Sequence, residues 1–149
     1  MYTRIVVGID GSELATKALR HALTLAGENA ARLFVVTSTE PSVVIAPGAE
    51  MMAVNTGPMI SELEEVKAKS AQATLAEAET LAAAEKVKIE AIHLPSSIAA
   101  DAILKTAEHQ GADLIVMGSH GRRGLGRLLL GSQAAEVLAR SSIPVLVVK

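Results

Sequence analysis

Apolar and polar positions follow two rhythms along this chain: short unbroken apolar runs, and stretches where apolar residues return every three or four positions. Ile5-Val6-Val7-Gly8-Ile9 is a β-branched run with no polar gap, the pattern of a strand covered on both faces of a parallel sheet. Asp10-Gly11-Ser12 turns the chain, Ser12 suits a helix N-cap, and Leu14, Ala15, Ala18, Leu19, Ala22 and Leu25 recur at helical spacing until Gly27 offers a stop. Leu33-Phe34-Val35-Val36-Thr37 reads as a second strand that ends near Pro41. A long alanine-rich helix is predicted over 59–86, with Glu62, Glu64 and Glu65 in its early turns and Lys86 at its end, as the helix dipole favours. Residues 88–94 alternate, which predicts a strand near a sheet edge with one face partly exposed. Pro95-Ser96-Ser97 starts a helix carrying Ile98, Ala102, Ile103 and Ala107, which Gly111 ends. Leu114-Ile115-Val116-Met117 is again wholly apolar, Ser132 suits the cap of a last helix with Ala135, Val137 and Leu138, and Pro144-Val145-Leu146-Val147-Val148 closes the chain as a strand.

Strand and helix therefore alternate, which predicts an α/β sandwich: a mainly parallel five-stranded sheet with helices on both faces, in one domain spanning 1–149. The interruption is residues 41–58, where Pro41, Pro47, Gly48, Gly57 and Pro58 stand among Val43, Val44, Ile45, Met51, Met52 and Val54 without a period. Segments of this length are usually functional or mobile, and this one either folds over something or stays disordered.

Composition narrows the chemistry. The chain has no cysteine, which removes disulfides, thiol catalysis and thiolate-bound zinc together. A formal net charge of −2 gives no global attraction to nucleic acid or an anionic membrane, and with only Tyr2 and Phe34 as aromatics there is no base-stacking platform. No signal-peptide run follows Met1, and no run approaches the ~18 apolar residues of a membrane span. The expectation is a soluble cytoplasmic protein, with no nucleic-acid or membrane partner.

Positive charge is instead local. Between Val116 and Ser132 the chain carries glycines at 118, 121, 124, 126 and 131, the arginines Arg122, Arg123 and Arg127, His120, and no acidic residue. Glycines let backbone N–H groups approach an anion, and Gly131-Ser132 sets a helix start beside them. In open α/β sheets ligands bind beyond the carboxyl ends of the strands, where the strand order reverses. The Gly8-Ile9-Asp10 turn and the Gly118 turn both lie at such ends and should face one crevice, with a polyphosphate as the natural guest. Two better-known loops are absent. Gly126-x4-Gly131 has P-loop spacing, but Ser132 stands where the lysine belongs; Gly124-x-Gly126 opens a dinucleotide fingerprint, but Leu129 takes the third glycine's place.

The spacing that is present, Gly118-x2-Gly121-x9-Gly131-Ser132, resembles the nucleotide-binding signature of the universal stress protein family. The stretches 5–12 and 144–148 are similar to that family's opening and closing strands. The resemblance implies an adenine nucleotide alpha hydrolase-like sandwich with strand order 3-2-1-4-5, holding ATP, with magnesium carried on the phosphates. By position, Met117, Gly118, Ser119, His120, Gly121, Arg122, Arg123 and Gly124, with Gly131, Ser132, Gln133 and Ala134, would hold ribose and phosphates. Gly8 and Asp10 would meet the nucleoside, and Ser38 would offer backbone to adenine; Thr37-Ser38 departs from the His-aliphatic pair common in relatives. The resemblance also implies a homodimer through Val145, Leu146, Val147 and Val148.

Plainer roles compete. Asp10 suits a simple helix cap, His120 a backbone donor site, the arginines a solvated loop face, and Met51 and Met52 packing; His21, His93 and His109 have no partner at ligand spacing. The favoured function is an ATP-binding stress-response protein acting as a switch or scaffold. Its rivals are a slow ATP hydrolase, for which the glycine-rich turn supplies no carboxylate, and a dimeric interaction module with structural ATP.

Overall fold

In the computed structural model, residues 1–43, 56–121 and 129–149 are described. The elements in order are β1 (Arg4–Gly8), α1 (Glu13–Asn29), β2 (Arg32–Thr39), α2 (Gly57–Ala84), β3 (Ile89–Pro95), α3 (Ala99–Gln110), β4 (Leu114–Gly118), α4 (Ser132–Arg140) and β5 (Val145–Val148). All strand pairs are parallel and the order is β3-β2-β1-β4-β5, as the sequence resemblance implies. The reversal point lies between β1 and β4, where Val6 sits opposite Phe34 on one side and Ile115 on the other.

The unbroken apolar runs follow from double coverage. Ile5 and Val7 of β1 pack with α1 and α2 residues such as Leu19, Leu23 and Leu75; Val6 turns the other way and packs with Phe34 and with α3 and α4 residues including Ile103 and Val137. Each such fully buried aliphatic side chain contributes about 1.5–3 kcal/mol relative to exposure. Edge strand β3 has no fully buried residue: Ile89 packs on the α1–α2 side, while Ile92 and Leu94 pack on the α3–α4 side, each partly exposed. No helix of the described residues is long and apolar enough to cross a membrane.

Three predicted boundaries move. Gly27 does not stop α1, which runs to Asn29; Ala30 takes the left-handed conformation at φ 51 instead, its N–H reaching the carbonyls of Ala26 and Gly27. A glycine inside a helix costs only about 1 kcal/mol, less than the Leu23 and Ala26 packing that carries the helix through. Ser132 is the first residue of α4 and not its cap, because Gly131 occupies the cap position, its N–H held 2.7 Å from the Ser119 carbonyl. Helix α3 begins at Ala99 with Ile98 in the cap position, since the Ser97 hydroxyl is spent on the Pro95 carbonyl at 3.1 Å.

Asp113, just before β4, fixes the register of the two central strands. Its carboxylate accepts the Thr3 N–H and hydroxyl, both at 2.8 Å, and the Arg4 N–H at 3.1 Å, while its own N–H donates to the Arg4 carbonyl at 2.9 Å. Partial burial pushes its pKa up, but the hydrogen bonds from Thr3 and Arg4 outweigh that and hold it below the ordinary value of 3.8.

Candidate functional site

The carboxyl ends of β1, β2 and β4 open into one crevice of about 740 Å3, bounded by α2 on one side of the sheet and by α3 and the start of α4 on the other. Sites that enclose small molecules commonly run to about 300–1,000 Å3, so a nucleotide is accommodated. The Ile9 N–H donates to the Val36 carbonyl at 2.9 Å and draws the ends of β1 and β2 together beneath it.

Asp10 lies on this wall. Its Oδ1 accepts the Ser12 N–H at 2.9 Å, and the Ser12 Oγ accepts the Ala15 N–H at 3.2 Å, so the two side chains share the start of α1. The cap of α1 is therefore Ser12, and the Asp10 carboxylate holds the backbone of that cap residue while bordering the crevice. Its Oδ2 comes so close to Gly121 that a Cβ there would sit 2.5 Å away, so a larger residue at 121 would have to displace the Asp10 carboxylate. Gly8 is likewise covered closely, by Ile103.

Met117 and Gly118 carry β4 to the crevice floor, and His120 and Gly121 continue the wall. Ser119 differs: it is buried and holds the frame behind the wall. Its N–H donates to the Val148 carbonyl at 2.8 Å, its carbonyl accepts the Gly131 N–H, and its Oγ pairs with His120 Nδ1 at 3.1 Å. A Cβ on Gly131 would stand 2.9 Å from the His120 Cα and 3.0 Å from the Ser119 carbonyl oxygen. The chain therefore requires glycine where α4 starts against the β4 turn.

Ser132, Gln133 and Ala134 form the first turn of α4 on the crevice wall, and no side chain of the cap residue covers that helix end. Unpaired N–H groups and the dipole make such a turn receptive to an anion. The Gln133 side chain has a further task, since its Oε1 accepts the Ala100 N–H at 2.9 Å and so caps α3. Ser38 lies at the β2 end of the crevice. Arg122, Arg123, Gly124 and Arg127 lie outside the described residues, as do Met51 and Met52. Away from the start of α4, His93 pairs through Nε2 with the Thr39 hydroxyl at 2.9 Å across β2 and β3. Among the described residues no group of three or more His, Asp or Glu is placed to hold a metal ion.

Sequence reasoning missed the α2 wall. Lys67, Ser70 and Thr74 face the crevice, and Lys67 donates from Nζ to the Glu40 carbonyl at 2.6 Å. Their i, i+3, i+7 spacing was visible as polar positions on one helix face, but nothing in the sequence said which side of the sheet that face would meet.

The profile of the Universal stress protein family matches residues 1–149. The chain belongs to the universal stress protein family. Universal stress protein MJ0531 of Methanocaldococcus jannaschii is 35% identical over 149 residues, covering 100% of this chain and 83% of its own length. The structure of universal stress protein UspA from Lactobacillus plantarum superposes with a TM-score of 0.82 at 25% identity, covering 99% of this chain and 98% of that one. A universal stress protein solved in complex with cAMP superposes with a TM-score of 0.73 at 29% identity, covering 99% and 97%.

Proposed function

We propose that this universal stress protein binds an adenine nucleotide, ATP with magnesium on its phosphates, and acts as a nucleotide-dependent switch or scaffold in the cytoplasmic stress response. The observation that carries the reading is the meeting of the Gly118–Gly121 turn with the side-chain-free start of α4 at Gly131, directly over the reversal point of the sheet. Backbone N–H groups of Ser132, Gln133 and Ala134 take the phosphates, and the β2 end near Ser38 with Asp10 takes the nucleoside. The cAMP in the 29%-identical relative supports an adenine nucleotide as the class of guest.

Holding is favoured over hydrolysis. Rapid phosphoryl transfer needs a group that orients water at the γ-phosphate, and the Asp10 carboxylate is committed to the Ser12 N–H on the nucleoside side. The test is titration calorimetry with ATP and magnesium. Saturable heat at micromolar protein is expected, with no more than slow release of phosphate; absence of heat, or turnover of several per second, would refute the respective half of the proposal. The partner in solution is a second copy, paired through the open edge of β5.

A further inference from the structure

The phosphate-receptive start of α4 and the wall formed by α2 lie on opposite sides of the sheet. Helix α4 packs with α3 on one face, and α2 packs with α1 on the other. A ligand whose phosphates rest on α4 therefore reaches across the carboxyl ends of the strands and presents its other end to α2. From β4 to β2 is two strand spacings, about 10 Å. What waits there is a half-buried cation. Lys67 lines the crevice, and its ammonium carries three donors, of which the Glu40 carbonyl takes one at 2.6 Å. Among the described residues no carboxylate comes within 4.0 Å of it. The hydroxyls of Ser70 and Thr74 stand on the same helix face along the crevice, and Thr74 donates to the Ser70 carbonyl at 3.2 Å, which leaves its oxygen able to accept.

Resting on the nucleotide reading of the crevice, we infer that Lys67 is a nucleoside-binding residue that donates from Nζ to an acceptor atom on the base or ribose, and that the Lys67–Ser70–Thr74 face of α2 is the specificity wall of the site. The Glu40 tether fixes the ammonium one residue beyond β2, on the nucleoside side and away from α4. An ammonium offers donors only, so this wall selects ligands that present ring nitrogens or hydroxyl oxygens toward α2.

The experiment compares wild type, Lys67→Met and Lys67→Arg by calorimetry or ligand-observed NMR against ATP, adenosine and inorganic triphosphate, with circular dichroism and Tm as controls of the fold. Methionine keeps the apolar stem and removes the donors. For Lys67→Met the expected result is about tenfold or greater loss of affinity for both ATP and adenosine, with triphosphate unchanged and partial rescue by arginine. Weakening of ATP and triphosphate but not adenosine would place Lys67 on the phosphates and overturn the inference. Unchanged affinity for all three would make it a tie between α2 and β2 only, with the same consequence. A wild-type protein that binds none of the three overturns the nucleotide reading itself, an outcome distinct from either. Should Lys67→Met fail to fold, Lys67→Gln takes its place.

Discussion

At the scale of single residues, Gly131 carries the most. The hydrogen bond from its N–H to the Ser119 carbonyl and the contact with the His120 backbone leave no volume for a side chain. Gly131→Val is expected to abolish measurable ATP heat while circular dichroism stays that of an α/β protein, because the clash lies at a turn beyond the core strands; retained affinity would show that this junction does not form the phosphate seat. The glycines at 118, 121 and 131 were legible in the sequence, since a backbone that must approach an anion leaves that mark. The partner of each was not. That Gly121 yields space to Asp10, and Gly131 to His120, depends on two turns over 100 and over 10 residues apart meeting above the sheet, which no local pattern encodes.

Among the elements, the two central strands depend on the Asp113 clamp. Its folded pKa lies below the unfolded value, so its contribution is complete above that value and is lost as pH falls from about 4 through the folded pKa. Asp113→Asn is expected to cost about 1 kcal/mol in urea unfolding at pH 7, and the gap from wild type should narrow as pH falls through the folded pKa and the native carboxylate becomes protonated. A gap that stays constant across that range would contradict the electrostatic account. All nine elements of the described residues were readable in the sequence, most from their apolar rhythm and α2 from its alanine content and charge placement. Their ends were less so. Ser132 looked like a cap by residue type and Pro95-Ser96-Ser97 like a helix start, but hydrogen bonds elsewhere decided the starts of α4 and α3, and packing carried α1 past Gly27. The expectations for residues 44–55 lie outside the described residues.

For the whole molecule, the open question of assembly sits at the β5 edge. Pro144 and Val148 turn their carbonyls to β4, accepting from Ile115 at 3.0 Å and Ser119 at 2.8 Å. By the two-residue alternation of a strand, Val145 and Val147 direct their N–H and carbonyl groups to the open side. Leu146 of β5 and Leu138 of α4 are exposed apolar side chains, on opposite faces of the sheet at this edge. Val147→Pro removes an outward N–H while leaving the β4 pairing intact, and sedimentation is expected to shift it from dimer to monomer; a dimer of unchanged strength would exclude this edge. The strand order could be anticipated only through the family resemblance, since periodicity gives elements and not neighbours. Ser119 joins the two ends of this arrangement: it takes the Val148 carbonyl on one side and the Gly131 N–H on the other, so the outer strand and the first turn of α4 are separated by a single residue. Were nucleotide binding and pairing at β5 coupled through this residue, linkage would make the coupling equal in both directions. If saturating nucleotide lowers the dimer dissociation constant by some factor, the two sites of the dimer together must bind nucleotide more tightly than two monomers by that same factor, its square root per site, and the occupancy of the crevice then rises with the concentration of the protein.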